Sequence, residues 1–360
     1  MQIISSFAPG RVELLGNHTD YNGGVVLSAA IDRGVTAQGT RRDDGQIVLT
    51  SEGVAGVVTA CADKLAAKDS WADYPLGVAK VFQEAGHPIS GFEVDFSSTL
   101  PLGAGLSSSA AIEVATAVLL TRIFDLEIPP LDLARLCRRA ENEFVGVSCG
   151  LLDQVSSIFG KKDHAIYLDC RAETVATIPF PHDVGLLIVH SGVKHALIGG
   201  EYNERRDQCF EAAKILGVPA LRDATSAQLA ASAKMPSLVK RRAAHIIGEN
   251  ERVFAAVDFL QQGEVAAFGR LMSASHRSSI ENFENSTKEL DALVEMACAQ
   301  KGVYGARLTG GGFGGAIVAL VDLAAIDTIA SAVVAEYLQK TGNKGAAYRC
   351  LLGDGALTHA

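Results

Sequence analysis

Apolar segments in the first hundred residues are short, rich in β-branched residues and separated by turn residues, which is the pattern of β-strands. Five strands are predicted there, over residues 2–5, 25–31, 34–40, 46–51 and 92–98. A helix is predicted among them over residues 75–85 (PLGVAKVFQEA). The first part of the chain is therefore predicted to mix strands with helices.

Helical spacing dominates after Ser107. Residues 108–124 are almost continuously small or apolar, which predicts a buried helix of about four turns. Residues 131–146 predict an amphipathic helix that is opened by Pro129 and Pro130 and ends near Gly146.

The second half opens with strands and continues mainly with helices. Strands are predicted over residues 165–170, 174–180, 184–191, 315–322 and 345–353. Helices are predicted over residues 201–217, 237–260, 264–280, 287–300 and 324–339. Strands and helices interleave without a regular βαβ rhythm, so the pattern favours an α+β fold. Because the pattern restarts near residue 180, we predict two α+β domains, residues 1–180 and 181–360.

Composition narrows the class of protein. With 48% hydrophobic and 20% charged residues, the chain can fill a large core and is not a disordered protein. The net charge of −9 gives no attraction to nucleic acid or to an anionic membrane, and no apolar run approaches a membrane helix. Without a signal-peptide pattern, the expected location is the cytoplasm. Seven cysteines without a C-x-x-C motif predict free thiols.

A glycine-rich turn leads directly into the predicted helix at residues 100–115 (LPLGAGLSSSAAIEVA). Gly103 and Gly105 allow a tight backbone turn, and the helix N-terminus adds the positive end of a dipole. Three consecutive serines add hydroxyl groups, so the segment is suited to bind phosphate. It lacks the lysine of the Walker motif. The alternative is a capped helix that simply follows a hairpin.

Three other segments carry candidate chemistry. Residues 8–24 (APGRVELLGNHTDYNGG) mix hydrogen-bond donors and acceptors as a sugar site requires, although a polar turn is the alternative. Residues 307–320 place five glycines around Phe313, which suits either a glycine-rich hairpin or a loop close to a nucleotide. Asp153 opens a predicted helix, where an aspartate is usually only an N-cap.

In this order, the segments resemble the three motifs of the GHMP kinases, the superfamily named for galactokinase, homoserine kinase, mevalonate kinase and phosphomevalonate kinase. Within it, GRVELLGNHTDYNGG resembles the galactokinase signature almost residue for residue. Two further blocks, CGLLDQ at residues 149–154 and VKHALIGGEYNERRDQC at residues 193–209, resemble blocks of the same family. Trp71 and Tyr74 resemble its Trp-x-x-Tyr pair near the adenine pocket.

The resemblance implies a two-domain α+β GHMP kinase fold with the active site in the interdomain cleft. It also implies transfer of the γ-phosphoryl group of ATP to the anomeric hydroxyl of a hexose, with galactose as the first candidate. The expected partners are ATP with Mg²⁺ and a small sugar, without nucleic acid or membrane. The expected assembly is a monomer or a weak homodimer.

The resemblance further implies roles for individual residues. Asp153 is expected to take or orient the proton of the sugar hydroxyl, and Arg11 to stabilise charge on the phosphoryl group. Ser109 and Glu141 are the expected Mg²⁺ ligands. The expected ATP contacts are Gly103, Ala104, Gly105, Leu106, Ser107, Ser108 and Ser109. The expected sugar contacts are Asn17, His18, Thr19, Asp20, Gly150 and Tyr202.

Asn17 departs from the family pattern, which has a glutamate at this position to bind a sugar hydroxyl, by analogy the one on carbon 6. Asparagine is uncharged and both donates and accepts hydrogen bonds. The substitution leaves open galactose with a weaker contact, another hexose, or a hexuronic acid that a glutamate would repel. A non-catalytic sugar and ATP sensor is a further alternative, although Arg11, Asp153 and the serine-rich loop are intact.

Overall fold

The computed structural model describes residues 2–101, 103–147, 149–193 and 198–358, and only the backbone of residues 198 and 199. A seven-stranded sheet organises the first half. Its strands are β1 (Ile4–Leu15), β2 (Val25–Arg42), β3 (Gln46–Ser51), β4 (Val54–Cys61), β5 (Gly91–Ser98), β6 (His164–Asp169) and β7 (Thr174–Pro179). The strand order is β4-β3-β5-β2-β6-β7, with β1 paired to β2. Only β3 and β5 run parallel to each other.

The long strand β2 is the centre of this sheet. Its second half, residues 35–42, pairs with β5, and its first residues, 25–28, pair with β6. The sequence predicted two strands here, but residues 32 and 33, which separate them, stay extended and join them into one. The first predicted strand also extends to Leu15, which places Arg11 within β1 rather than in a turn.

Four helices accompany the first sheet. They are α1 (Asp73–Glu84), α2 (Ser108–Ile123), α3 (Pro130–Arg139) and α4 (Leu152–Phe159). The predicted buried helix is present as α2, which packs against β1 and β2. The predicted helix over residues 131–146 is also helical, but its last part, Ala140–Val145, widens into a π-helix before Gly146 ends it in a left-handed conformation.

An antiparallel four-stranded sheet organises the second half. Its strands are β8 (Val184–His190), β9 (Val303–Thr309), β10 (Ala316–Asp322) and β11 (Ala346–Cys350), in the order β11-β8-β10-β9. Strand β9 was not predicted from the sequence. The helices are α5 (Ile198–Leu216), α6 (Ser226–Ala231), α7 (Ser237–Gln261), α8 (Val265–Ser278), α9 (Lys288–Cys298) and α10 (Ile326–Thr341). Among the described residues, none of the helices has the length and apolar character needed to span a membrane.

One apolar core extends through both halves. Val12 and Val118 of the first half belong to the same buried cluster as Leu186, Phe268 and Val318 of the second. The chain also returns to the first half after β11, where Leu352 bridges to Ile31. The division at residue 180 thus stays a prediction, because the core packing alone does not locate it.

A close backbone approach fixes α8 against β9. A Cβ atom added to Gly305 would lie 1.9 Å from the carbonyl oxygen of Gly269, far inside van der Waals contact. Because both groups belong to regular elements, neither can move away without disturbing the sheet or the helix.

We therefore expect Gly305→Ala to lower the free energy of unfolding by roughly 2 kcal/mol or more, since overpacking forces a backbone shift. Urea unfolding followed by circular dichroism would measure it. Gly200→Ala is the matched control, because a Cβ atom there meets nothing within 4 Å and alanine favours helices. Equal stability of the two variants would contradict the packing argument.

Candidate active site

Two adjoining cavities lie where residues from both halves meet. The smaller has a volume of about 190 Å³ and the larger about 300 Å³. Both are lined by Arg11, Asp153, Gly310 and Gly311, so the two cavities meet at these residues. The smaller cavity is also lined by Glu13, Gly16, Asn17, His18, Asp20, Val26, Cys149, Gly150, Leu152 and Tyr202.

An ion pair between Arg11 and Asp153 stands at this junction. Arg11 comes from β1 and Asp153 from the first turn of α4, and Arg11 Nε donates to Asp153 Oδ1 at 2.7 Å. The Ser107 hydroxyl donates to the other oxygen, Oδ2, at 2.5 Å. Arg11 also donates from its terminal nitrogen to the carbonyl of Gly105 at 2.8 Å. The carboxylate is therefore held in one orientation between the two cavities.

The predicted phosphate loop lines the larger cavity. All seven predicted ATP contacts, residues 103–109, are among its lining residues. Gly103, Gly105 and Ser107 have positive φ angles of 73°, 67° and 56°. No side chain caps α2, so the amide groups of its first turn are available to an anion. The left-handed conformation of Ser107 is costly for a residue with a side chain, which is typical of functional loops.

Asp20 and Gly150 lie in contact with each other in the lining of the smaller cavity. A Cβ atom at position 150 would lie 2.5 Å from Asp20 Oδ2, so only glycine fits beside this carboxylate. Burial raises the pKa of Asp20 to about 6, and the nearby charge of Asp153 adds to the shift. Holding the ionised Asp20 carboxylate in the cavity therefore lowers the stability of the folded protein.

Aromatic rings form one wall of the smaller cavity. His18 lies 5.0 Å from Tyr202 and 4.7 Å from Phe283, measured between ring centroids. Burial lowers the pKa of His18 to about 4, so the ring is neutral. Its Nε2 donates to the Gly311 carbonyl and its Nδ1 accepts from the Tyr21 hydroxyl, each at 2.9 Å. Both ring nitrogens of His18 are therefore occupied by the protein.

The first motif does not present all of its side chains to the cavity. Asn17 lines it, but its amide is already hydrogen-bonded on both atoms. Thr19 does not line it. Its buried hydroxyl bonds to the carbonyls of Gly16 and Val25, which favours a role in holding the loop.

The two predicted metal ligands lie together beside the larger cavity. Ser109 donates a hydrogen bond to Glu141, and burial raises the pKa of Glu141. Gln154 Nε2 donates to Glu141 at 2.8 Å and to the fully buried Glu113 at 3.2 Å. Within the described ranges, no group of three or more His, Cys, Asp or Glu side chains is arranged to hold a metal ion. Any ion here needs additional oxygen ligands, which ATP phosphates can supply.

Several residues that support the site were missed by the sequence analysis. Glu249 of α7 accepts hydrogen bonds from the backbone amides of Gly16 and Asn17, at 2.9 and 3.0 Å. Burial alone would raise the pKa of Glu249, but the guanidinium groups of Arg252 and Arg307 outweigh burial and hold it well below its usual value. The sequence does contain one signal for such residues: Arg307 is a charged residue inside the apolar run of β9, and a buried charge of this kind needs a partner.

The glycine-rich loop at residues 310–315 contacts the first motif beside the smaller cavity. Its Gly310 carbonyl accepts from Asn17 and its Gly311 carbonyl from His18. The glycine-rich third segment therefore docks directly on the first. Most of the block 193–209 is described, but residues 194–197 lie outside the described residues.

Three protein-family models match this chain. The galactokinase galactose-binding signature matches residues 2–41, the GHMP kinase N-terminal domain matches residues 73–161, and the GHMP kinase C-terminal domain matches residues 256–340. A galactokinase of Thermotoga neapolitana is 42% identical over 89% of this chain and 90% of its own length. The chain belongs to the galactokinase family. The resemblance stated from sequence is thereby confirmed.

Other members and structures agree with this assignment. A galactokinase of Fusobacterium nucleatum is 40% identical over 97% of this chain and 93% of its own. The crystal structure of Lactococcus lactis galactokinase complexed with galactose superposes with a TM-score of 0.93, at 34% identity, covering 98% of this chain and 94% of that one. Methanococcus jannaschii mevalonate kinase, with a TM-score of 0.68 at 19% identity over 98% of each chain, shares the fold. The predicted GHMP kinase fold is confirmed.

The raised pKa of Asp20 predicts a pH-dependent stability difference. The folded carboxyl ionises near pH 6 and the unfolded one near 3.8, so the folded state holds the proton more tightly. Asp20 therefore costs stability above pH 6, and this cost disappears as the pH falls towards 3.8. We expect Asp20→Asn to gain roughly 1–2 kcal/mol relative to the native protein between pH 4.5 and pH 8. Urea unfolding at both pH values measures this, and a pH-independent difference would contradict it.

Proposed function

We propose that this protein transfers the γ-phosphoryl group of ATP to the anomeric hydroxyl of galactose. The observation that carries the proposal is the meeting of two cavities at the Arg11–Asp153 pair, one lined by the phosphate loop and one by the galactose-binding signature. The curated relatives are galactokinases, and the Lactococcus lactis enzyme was crystallised with galactose. These relatives therefore favour galactose over a hexuronic acid as the substrate.

The Arg11–Asp153 pair provides the chemistry at the point of transfer. Asp153, oriented by Arg11 and Ser107, accepts or directs the proton of the attacking hydroxyl. Arg11 lies beside it and stabilises the negative charge that spreads over the phosphoryl group in transit. Because both cavities open on this pair, the hydroxyl and the phosphate meet in a fixed orientation, which lowers the entropic part of the barrier.

The phosphate loop and the sugar wall hold the two substrates. Glycines at 103 and 105 and the uncapped start of α2 direct amide groups towards the triphosphate. Asp20 accepts hydrogen bonds from sugar hydroxyls, and Tyr202 closes the same cavity. Sugar recognition by short, directional hydrogen bonds matches this polar lining.

Ser109 and Glu141 are the proposed Mg²⁺ ligands. They fit the ion because both offer oxygen atoms, are already in hydrogen-bond contact, and lie next to the phosphate loop. When bound, Mg²⁺ would neutralise charge on the ATP phosphates. Gln154, which donates to Glu141, keeps that carboxylate aimed at the loop.

Asp153→Asn is expected to lower kcat at least a hundredfold while ATP binding survives, because the variant keeps the side-chain shape but loses the carboxylate. Turnover is measured by ATP consumption over a panel of free hexoses and hexuronic acids, with galactose expected to be preferred. Asp43→Asn, an exposed carboxyl on the turn between β2 and β3, is the control. Full turnover by Asp153→Asn, or preference for a hexuronic acid, would contradict the proposal.

Glu141→Gln is expected to raise the Mg²⁺ concentration needed for half-maximal activity tenfold or more, because it removes the charged ligand. Isothermal titration of Mg²⁺ with the ATP-bound protein gives a second readout. Glu143→Gln, an exposed carboxylate two residues away, is the matched control and should titrate like the native protein. Unchanged Mg²⁺ affinity of Glu141→Gln would exclude it as a ligand.

A further inference from the structure

Glu13 is a buried carboxylate among the residues that line the sugar cavity. It lies on β1 between Val12 and Leu14, which are fully buried, and is itself only 6% exposed. Its Oε1 accepts from Asn17 Nδ2 at 3.0 Å and from a terminal nitrogen of Arg307 at 3.1 Å. Glu13 is also a lining residue of the smaller cavity. No role was predicted for Glu13 from the sequence.

Asn17 has little capacity left for a ligand. Its two Nδ2 hydrogens go to Glu13 Oε1 and to the carbonyl of Gly310, and its Oδ1 accepts from Asn285 Nδ2. The residue is 1% exposed. The side chain expected to bind a sugar hydroxyl is therefore committed to the protein, and two of its partners, Glu13 and Gly310, line the cavity.

The second oxygen of Glu13 is free for a ligand. Across the described ranges, no hydrogen bond is made to Glu13 Oε2, although this carboxylate lines the cavity. Neither Glu13 nor Asn17 lines the phosphate cavity, so both lie away from the reacting end. A sugar hydroxyl is the kind of donor that would satisfy this oxygen.

We propose that Glu13 determines sugar specificity in this chain, with its Oε2 accepting a hydrogen bond from a sugar hydroxyl other than the reacting one, and that Asn17 positions it. This inference rests on the proposed function. Position 13 then supplies the carboxylate that the family pattern has at position 17, and position 17 carries an amide instead. Glu13 restores the negative charge that Asn17 lacks, which disfavours an anionic hexuronate.

The surrounding charges explain why only one of the two positions is acidic. Arg307 pairs with Glu13. Arg252 pairs at 2.6 Å with Glu249, the carboxylate that accepts from the backbone amides of Gly16 and Asn17. A glutamate added at position 17 would lie next to Glu13 and to the carbonyl of Gly310, and Arg307 already pairs with Glu13. Two adjacent buried carboxylates repel strongly. An uncharged side chain at position 17 avoids this repulsion.

The test compares kcat and KM for galactose and for analogues that each lack one hydroxyl. Glu13→Gln is expected to raise KM for galactose roughly tenfold with little change in kcat, because a charged acceptor becomes neutral. For the one analogue that lacks the contacted hydroxyl, Glu13→Gln and the native protein should have the same KM. Glu249→Gln is the matched control, since this buried carboxylate holds the loop but does not line the cavity. It should change all KM values by the same factor.

A double-mutant cycle tests the exchange of the two side chains. Asn17→Glu alone is expected to lower kcat/KM for galactose at least tenfold. In the exchange variant Glu13→Asn/Asn17→Glu, kcat/KM is expected to recover to within about fivefold of the native value. Thermal unfolding accompanies each variant. Should the single variants fail to fold, recovery of folding and activity in the exchange variant still supports the inference, and failure to recover overturns it.

The outcomes separate this inference from the proposed function. Native protein without activity on galactose would overturn both. If the native protein phosphorylates galactose, the proposed function stands. The inference is then overturned if Glu13→Gln keeps the native KM for galactose, or if it raises KM by the same factor for every analogue. Improved galactose turnover by Asn17→Glu alone would overturn it as well.

Discussion

The burial of charged side chains between the two halves is the constraint on which this site depends. Glu13 of β1 meets Arg307 of β9, and Glu249 of α7 holds the backbone of the loop that follows β1. A buried charge without a partner is strongly destabilising, so each half must supply the partner of the other. The two halves are thereby fixed in one arrangement, and that arrangement places the sugar wall beside the phosphate loop.

The glycine-rich segments make the close contacts that this arrangement needs. Carbonyl groups of Gly310 and Gly311 accept hydrogen bonds from Asn17 and His18, and Gly150 leaves room for Asp20. A Cβ atom at position 150 would clash with Asp20, and the positive φ of 77° at Gly310 disfavours any other residue there. The 36 glycines of the chain are therefore partly explained by backbone that must approach polar side chains closely. Asp20, with a pKa raised by burial to about 6, shows that function is retained at a cost in stability.

Elements with a strong local signal were predicted well, and elements defined by distant partners were not. The almost continuous apolar run of α2 was found because its pattern is independent of the fold. The single strand β2 was predicted as two strands, because the polar residues Asp32 and Arg33 have the character of turn residues although they stay extended within β2. Strand β9 was missed because Arg307 interrupts its apolar pattern, and the carboxylates near that arginine, Glu13 and Glu249, come from distant parts of the chain.

The sequence by itself determined the family, the fold class and the chemistry, since the motifs are local and their order along the chain is specific. It also supplied Arg11, Asp153 and the loop at residues 103–109, which the structure brings to one junction. Only the tertiary structure decided which side chains of the first motif face the cavity: Thr19 points into the loop, Asn17 is committed to the protein, and Glu13 enters. The physical reason is that hydrogen bonds with residues more than two hundred positions away use up the polar groups of the motif: Glu249 accepts from the Asn17 backbone amide, and Asn285 donates to the Asn17 side chain.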